Sequence, residues 1–349
     1  MKKALILLLF GIAGFAFLFL ALASTASTSK AQDVQGSPTP GQTVRAFVTN
    51  FGGDGVSVID PESGRFISNI KTGSQPHGVA IAPDGKAVYV SNEGDGTLSI
   101  IDPAKNDVVA MVKVGKSPNQ LEASADGRYV FVTLNGADSL AVVDVAVRKV
   151  IKSVPVGRAP HIALRSHDGK LLYVTLEGDM KMVIVDTATF DVVGSIPLFG
   201  WPRIPALTLD GKRIFQSVRW LNGALIIDLA KKQVVDRIAL GEPRFAEEGK
   251  DAHGLAVTPD GKQLWLTTQT TNDVTVIETN DNKIIGRVFV GRDPNWIGFT
   301  PDGKLAVISN TGSGDVSVID VSQRKVVATI KVGPAPKRLA VGKVISGNA

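Results

Sequence analysis

The sequence lacks cysteine altogether, since none occurs among its 349 residues. Disulfide bonds, thiolate metal sites, thioether-linked haem and cysteine nucleophiles are therefore excluded together. The sequence also has no Gly-x-Ser-x-Gly elbow, no phosphate-binding Walker loop, no dinucleotide fingerprint and no His-Glu-x-x-His motif. These absences leave no enzyme class indicated by a familiar motif.

Aromatic residues are scarce at 6%, and the net charge is only +5. The basic residues are spread through the chain, and no basic stripe with interleaved aromatic residues occurs. Such a stripe is the usual footprint of a nucleic-acid surface. A nucleic-acid partner is therefore not expected.

The N-terminus has the pattern of an export signal. Lys2 and Lys3 precede an uncharged apolar stretch over residues 4–23, which small residues follow. Because this stretch could also span a bilayer, residues 1–23 are predicted to be either a cleaved signal peptide or an uncleaved anchor. The anchor would be the only membrane contact, and both alternatives place the body in the periplasm or outside the cell. Residues 24–43 are polar and small, which predicts a flexible linker.

The rest of the chain is a repeat. A strand that ends in an acid recurs at Asp60, Asp102, Asp144, Asp186, Asp228, Glu278 and Asp320. Successive acids are 42, 42, 42, 42, 50 and 42 residues apart. A strand of the type Phe47-Val48-Thr49-Asn50 precedes each acid by ten residues. A third landmark, an Asp-Gly pair that follows the first strand of a repeat, occurs at only six equivalent positions, beginning with Asp84-Gly85. We expect the strand-ending acids to form turns and to take no part in catalysis.

Each repeat is predicted to contain four short strands, with a hairpin turn at Asp-Gly, where glycine tolerates a positive φ. Repeats of this length with four antiparallel strands are typical of propeller blades. The repeat region starts at a second strand, Val44–Asn50, and ends with an extra first strand, Arg338–Val344. We therefore predict an all-β, seven-bladed propeller over residues 44–345, in which the C-terminal strand completes blade 1 and closes the ring.

The repeat resembles that of the YVTN-type β-propeller proteins, a family of surface-layer and periplasmic propellers. It contains Pro76-His77-Gly78, Pro83-Asp84-Gly85, Tyr89-Val90-Ser91-Asn92 and Leu98-Ser99-Ile100-Ile101-Asp102. The resemblance extends over residues 44–343 and implies the propeller fold. It does not imply a particular function, because one fold serves many functions.

Two repeat positions are expected to share one mouth of the central channel. Seven residues before each Asp-Gly stand His77, Asn119, His161, Arg203, His253 and Asn295, with Lys337 at the equivalent place in the closing strand. Nine residues before each strand-ending acid stand Phe51, Glu93, Asn135, Glu177, Arg219, Gln269 and Thr311. We expect these side chains to be solvated and to contribute little to stability.

Two kinds of site are compatible with this mouth. His77, His161 and His253 could hold a divalent transition metal, with Glu93 or Glu177 as ligand, supporting residue or general base. Alternatively, the repeat simply favours Pro-His-Gly, and each histidine only forms a hydrogen bond with the neighbouring loop.

An anion such as a carboxylate or phosphate is the other possible ligand. It could bind to the basic side chains at this mouth, which are Arg203, Arg219, Lys337, Arg244 and the three histidines. His167, on the opposite face, is expected to be a solvated turn residue.

Two further features lie near this mouth. Trp201 and Trp220 could form one wall of a binding pocket or fill a gap in their blade. The eight extra residues of the long repeat lie within 242–251, before His253, and could cover the channel as a partial lid or form a solvated loop.

The leading hypothesis is an exported binding or interaction protein that holds a small anionic molecule, a metal or a protein partner at the channel mouth. The alternative is a metal-dependent periplasmic lyase, hydrolase or oxidoreductase that uses the channel-mouth histidines. The chain is expected to be a monomer.

Overall fold

A computed structural model describes residues 41–241 and 252–346. The described strands of blades 1 to 3 are β1 (Gln42–Asn50), β2 (Gly55–Asp60), β3 (Arg65–Lys71), β4 (Pro76–Ile81), β5 (Val88–Asn92), β6 (Thr97–Asp102), β7 (Asp107–Lys113), β8 (Pro118–Ala123), β9 (Tyr129–Leu134), β10 (Ser139–Asp144) and β11 (Lys149–Pro155). A short 3₁₀ turn, Asn135–Ala137, follows β9.

The strands of blades 4 to 7 are β12 (Pro160–Arg165), β13 (Leu171–Leu176), β14 (Lys181–Asp186), β15 (Val192–Pro197), β16 (Pro202–Leu207), β17 (Arg213–Val218), β18 (Gly223–Asp228), β19 (Gln233–Ala239), β20 (Ala252–Val257), β21 (Gln263–Thr268), β22 (Asp273–Glu278), β23 (Ile284–Phe289), β24 (Pro294–Phe299), β25 (Leu305–Asn310), β26 (Asp315–Asp320) and β27 (Lys325–Lys331). The last strand, β28 (Pro336–Ile345), returns to blade 1.

The strands form seven four-stranded antiparallel sheets, each running from an inner to an outer strand. Blade 1 has the order β28-β1-β2-β3, so the prediction that the C-terminal strand closes the ring is confirmed. The pairing of β1 with β28 runs from Gln42 opposite Ile345 to Asn50 opposite Pro336. Each inner strand contacts the inner strands of the two neighbouring blades, which closes a ring around the central channel. The predicted seven-bladed propeller is therefore confirmed.

The hydrophobic core lies between adjacent blades. Phe47 and Val58 of blade 1 pack in one cluster with Val79, Val88 and Val90 of blade 2. The middle strands of a blade are covered on both faces, so every residue of β5 is buried, whereas the outer strand β7 alternates between buried or half-buried and exposed positions. This explains why the middle strands are nearly continuous apolar runs and the outer strands are amphipathic.

The turn chemistry follows the sequence prediction. Gly85 of the first Asp-Gly pair has a φ of 70°, the left-handed conformation that glycine adopts without steric cost. The strand-ending Asp60 accepts hydrogen bonds through Oδ1 from the backbone N–H groups of Glu62 and Ser63, at 3.0 and 3.1 Å. These acids therefore stabilise turns, as expected.

The Ser or Thr of the Tyr-Val-Thr-Asn landmark donates a hydrogen bond to the next blade at five of its seven positions, which are Thr49, Ser91, Thr133, Ser217 and Ser309. Ser217 in β17 accepts a hydrogen bond from the backbone N–H of Ile204 in its own blade, at 3.0 Å, and donates one to the carbonyl of His253 in the next, at 2.6 Å. Thr49 bonds in the same way to Arg338 and to the carbonyl of His77. Because the inner strand departs from regular pairing near its start, these hydroxyls satisfy backbone groups that the ladder leaves open.

The glycine of Pro-His-Gly allows the inner strands to approach closely. A Cβ at Gly78 would lie 2.5 Å from the carbonyl oxygen of Asn119 in the next blade. A side chain at this position would push the two inner strands apart, so glycine fixes the narrow spacing at the channel.

Three predicted segments fall outside the described residues: the signal or anchor over 1–23, most of the linker over 24–43, and the extra residues 242–251 with Arg244. Their roles stay predictions. Within residues 41–241 and 252–346, the structure has no helix of the length and hydrophobicity that a membrane crossing requires.

Candidate functional site at the channel mouth

The two predicted sets of residues occupy equivalent places in every blade. Each member of the first set is the second residue of an inner strand, as His77 is in β4 and Lys337 in β28. Each member of the second set directly follows a second strand, as Glu93 follows β5 and Arg219 follows β17. Contacts between the sets, such as that of His77 with Glu93, place both at the same end of the channel.

The expectation that these side chains are solvated is wrong for the histidines. His77 and His161 are 3% exposed and His253 is 7% exposed. Asn119 and Asn295 are buried as well, and their Oδ1 atoms have no hydrogen-bond partner within the described chain. The inner strands of neighbouring blades contact one another all around the ring, so the adjacent blades cover these side chains.

Two of the three histidines contact the glutamate of their own blade. Nδ1 of His77 lies 2.7 Å from Oε2 of Glu93, and Nδ1 of His161 lies 3.6 Å from Oε1 of Glu177. His253 differs, because its Nδ1 lies 3.0 Å from the carbonyl oxygen of Asn295. This carbonyl contact corresponds to the alternative in which a histidine only bonds to the neighbouring blade.

Burial keeps these imidazoles neutral. The pKa of His77 and of His161 lies well below 6.5, first because burial disfavours the charged ring and then because nearby Lys337 and Arg338 repel it. Burial similarly lowers the pKa of His253. Burial raises the pKa of Glu93 and of Glu177.

Arg338, which the repeat pattern did not indicate as a site residue, is 1% exposed and lies directly after Lys337 in β28. Its guanidinium stacks on Trp296 of blade 7, with Cζ 4.4 Å from the ring centroid. Its Nη2 lies 2.8 Å from Nε2 of His161 on blade 4. Regular alternation along a strand would turn Arg338 away when Lys337 faces the channel. The sequence distinguishes Arg338 in one way: it is the only charged residue at its repeat position. The other repeats have Gly78, Gln120, Ile162, Ile204, Gly254 and Trp296 there.

Arg338 is a buried cation that forms no ion pair with a carboxylate of the described chain. The Nε and Nη1 atoms are buried and have no hydrogen-bond partner there. The carboxylate of Glu177 pairs instead with Arg203, at 2.9 Å from its Nη1. Burial first and nearby Arg203 second lower the pKa of Arg338 to about 9, although Glu177 and Glu93 partly oppose this.

Lys337 adds another cation at this mouth. Its Nζ lies 3.7 Å from the ring centroid of Phe51, which in turn lies 5.2 Å from the ring of His77. Burial and then Arg338 lower the pKa of Lys337 to about 8. Counted with Arg203 and Arg219, four cations face the two carboxylates of Glu93 and Glu177.

The tryptophans of blade 5 form an exposed surface. The rings of Trp201 and Trp220 lie 5.4 Å apart, and Trp220 is 46% exposed. The Cζ atom of Arg219 lies 5.0 and 5.1 Å from the two ring centroids. Since Trp220 projects from the blade, this arrangement favours the prediction that the two tryptophans form one wall of a pocket over the alternative that they fill a gap in their blade.

The remaining predicted residues make local contacts. Asn135 donates to the carbonyl of Pro160 at 3.4 Å, and Thr311 donates to that of Pro336 at 2.6 Å. Nε2 of His167 on the opposite face lies 2.9 Å from the carbonyl oxygen of Thr208, so this exposed histidine also joins two blades. Gln269 directly follows β21 in the second set.

The predicted metal site at His77, His161 and His253 stays a prediction. No group of three or more histidine or acidic side chains in residues 41–241 and 252–346 is placed to hold a metal ion. The position of Arg338 against His161 is one physical reason, because the guanidinium places a positive charge beside this imidazole and occupies the lone pair of its Nε2. The donor set therefore does not support a metal at this place.

The fold and this mouth define the class: a seven-bladed β-propeller with a cationic, partly buried channel entrance. The family model for YNCE-like β-propellers matches residues 18–126. With the seven-bladed ring, this match confirms the resemblance to the YVTN-type propellers. No curated protein matches the chain.

Solved structures with the same fold include several enzymes. Hydrazine synthase of Kuenenia stuttgartiensis is 22% identical, with a TM-score of 0.72 and coverage of 83% of this chain and 99% of that one. The periplasmic gluconolactonase PpgL of Pseudomonas aeruginosa is 19% identical, with a TM-score of 0.70 and coverage of 85% and 98%. The dihydro-heme d1 dehydrogenase NirN is 19% identical, with a TM-score of 0.64 and coverage of 84% and 74%. At these identities, the likeness is one of fold alone.

Proposed function

We propose that this chain is an exported binding protein whose channel mouth holds a small anionic ligand. The observation that carries the proposal is Arg338, a fully buried guanidinium whose Nε and Nη1 have no hydrogen-bond partner in the described chain. A buried charge without a partner costs several kcal/mol. An anion that accepts hydrogen bonds from these two atoms would remove most of that cost.

The surrounding charges support the same ligand class. Lys337, Arg203 and Arg219 add positive charge at this mouth, and Glu177 is already paired with Arg203. The lowered pKa of Lys337, at about 8, reflects burial and the repulsion from Arg338, and a bound anion would raise it again. Neutral histidines beside this site offer polar atoms that can orient the ligand.

The N-terminal pattern supports export. Lys2 and Lys3 before the apolar residues 4–23 are typical of an export signal or anchor. Among the proteins of similar fold, the gluconolactonase is described as periplasmic. Fractionation of cells that produce the full chain tests this: recovery of the protein in the cytosol would contradict export.

Binding of acetate, phosphate and sulfate to the full chain tests the ligand class. Trp296 provides the signal, because its indole stacks on the guanidinium of Arg338. We expect saturable fluorescence changes in the parent and at least tenfold weaker binding in Arg338→Met, which keeps the volume and removes the charge. Arg237→Met makes the same change on the exposed outer strand β19 and should bind like the parent.

Calorimetry separates binding from a mere change in fluorescence. If the parent binds none of the three anions, or if Arg338→Met and Arg237→Met bind them equally, the proposal is wrong. A folded state of Arg338→Met is expected, since replacing a buried charge by an apolar group of similar volume is often neutral or stabilising.

A further inference from the structure

The loop after β17 has a backbone unlike that of the other blades. At the equivalent turn, the residue in the left-handed conformation is Gly96, Asp138, Met180, Asn272 or Gly314 in blades 2, 3, 4, 6 and 7. In blade 5 it is Trp220, two residues earlier in the repeat, with a φ of 65°. A bulky residue rarely adopts this conformation, and such outliers concentrate at functional sites.

This backbone change presents an aromatic face to solvent. Trp220 is 46% exposed, and its ring and that of Trp201 are tilted by 59° with Arg219 beside both. The backbone N–H of Arg219 donates to the carbonyl of Trp201 at 2.8 Å, which joins the two sides of the surface. We call the surface formed by Trp201, Arg219 and Trp220 the aromatic platform.

The aromatic platform adjoins the anion site. Arg203 connects the two, because its Nη1 lies 2.9 Å from Oε1 of Glu177, and the same oxygen lies 3.6 Å from Nδ1 of His161, the hydrogen-bond partner of Arg338. The backbone bond from Arg219 to Trp201, two residues before Arg203, brings Arg219 to the same part of blade 5. The Nε atoms of Arg203 and Arg219 are buried and find no hydrogen-bond partner in the described ranges. Unused donors therefore lie directly beside an exposed aromatic ring.

We propose that the aromatic platform binds the ring of a cyclic carboxylate, so that the ring stacks on Trp220 while the carboxylate bonds to Arg203 and Arg219. This rests on the proposed anion-binding function and names its ligand class. A flat aromatic ring and the apolar face of a sugar ring both fit an indole surface, and the carboxylate matches the unused arginine donors. A carboxylate without a ring would use only the arginines.

Four probes separate the contribution of the ring from that of the carboxylate. They are benzoate as an aromatic carboxylate, glucuronate as a sugar carboxylate, acetate without a ring, and methyl glucoside without a charge. We expect at least one of the two ring carboxylates to bind roughly tenfold more tightly than acetate, and methyl glucoside to bind more weakly than either. Which ring carboxylate is preferred identifies the ligand as aromatic or as a sugar acid.

Two substitutions on the full chain test the role of the platform. Trp220→Ala should remove the roughly tenfold preference and leave acetate binding unchanged, whereas Trp220→Phe should retain most of it. Phe289→Ala removes an aromatic ring that is 73% exposed on the outer strand β23 and should have no effect. Because Trp220 is exposed, thermal unfolding should change little in its variants.

The outcomes distinguish the two proposals. If acetate binds through Arg338 but ring carboxylates bind no better, or if Trp220→Ala weakens all carboxylates equally, the platform proposal is overturned and anion binding stands. If acetate does not bind and Arg338→Met has no effect while Trp220→Ala still weakens a ring carboxylate, the channel proposal fails and the platform remains.

Discussion

Arg338 reaches across the central channel from blade 1 and donates a hydrogen bond from Nη2 to Nε2 of His161 on blade 4, over 2.8 Å. The imidazole must accept at Nε2, so the neutral ring carries its proton on Nδ1, the nitrogen that lies 3.6 Å from Oε1 of Glu177. The closing strand thus sets the tautomer of a histidine on the far side of the ring.

Removing the acceptor should cost stability. His161→Leu leaves Nη2 of Arg338 without its partner, and we expect a loss of about 1–3 kcal/mol in the free energy of unfolding. His161→Gln keeps an acceptor oxygen and should lose less. Denaturant unfolding measures both variants, and equal losses would show that the hydrogen bond from Arg338 contributes nothing.

The buried neutral histidines predict acid sensitivity. The folded-state pKa of His77, His161 and His253 lies below 6.5, so the unfolded chain binds more protons than the folded chain below that pH. Their contribution to stability is full above pH 6.5 and is lost as the pH falls. The half-buried Glu93, Glu177 and Glu122 oppose this, because a raised carboxyl pKa adds stability in acid.

Substitution of a single histidine isolates its part of this pH dependence. The stability of His77→Gln relative to the parent should rise as the pH is lowered from 7.5 to 5. His167→Gln changes an exposed histidine on the opposite face and serves as the control. A parallel pH dependence of His77→Gln and the parent would contradict the burial of a neutral imidazole.

Glu122 predicts the opposite pH dependence. Burial raises its pKa from 4.5 to about 7, although Nε of Arg165 lies 3.3 Å from its Oε1. The ionised carboxylate is therefore unfavourable in the folded state above pH 7. The stability of Glu122→Gln relative to the parent should rise by on the order of 1–3 kcal/mol between pH 4.5 and pH 8, reduced by the 28% exposure of the side chain. A pH-independent difference in unfolding free energy would refute this.

The hydroxyl groups between blades should matter more than similar groups in turns. Ser217→Ala leaves the N–H of Ile204 and the carbonyl of His253 without a partner, so we expect a loss of about 1–3 kcal/mol. Ser322→Ala removes a hydroxyl that bonds to Asp320 in an exposed turn and should change stability by less than about 0.5 kcal/mol. Equal effects in thermal unfolding would show that the hydroxyl bridge is dispensable.

Ring closure by β28 should be essential to the whole propeller. Truncation from Pro334 removes the strand that pairs with β1 and exposes the edge of blade 1. We expect the melting temperature to fall by more than about 10 °C or cooperative unfolding to be lost. Truncation after Ser346 retains all of β28 and provides the control. An unchanged melting temperature after the longer truncation would disprove closure by this strand.

The local repeat chemistry explains why so much of the fold could be predicted. Asp84 and Gly85 specify a hairpin turn whatever surrounds them, since the turn requires a positive φ that glycine adopts freely. The spacing of such turns, and the extra first strand that contains Arg338, predicted both the blade count and the closure. Equivalent repeat positions then placed His77 and Glu93 at one mouth without any tertiary information.

The sequence by itself therefore determined the blades, their order and the ring of polar residues, because these follow from patterns within a single repeat. Only the tertiary structure decided which residues of that ring are buried and which of them pair with one another. Convergence of seven inner strands buried His77 and His161 and turned Arg338 inward against Trp296, although strand alternation predicts otherwise. The hydrogen bond from Arg338 to His161 joins residues 177 positions apart, and its geometry depends on how closely the blades pack, which no single repeat encodes.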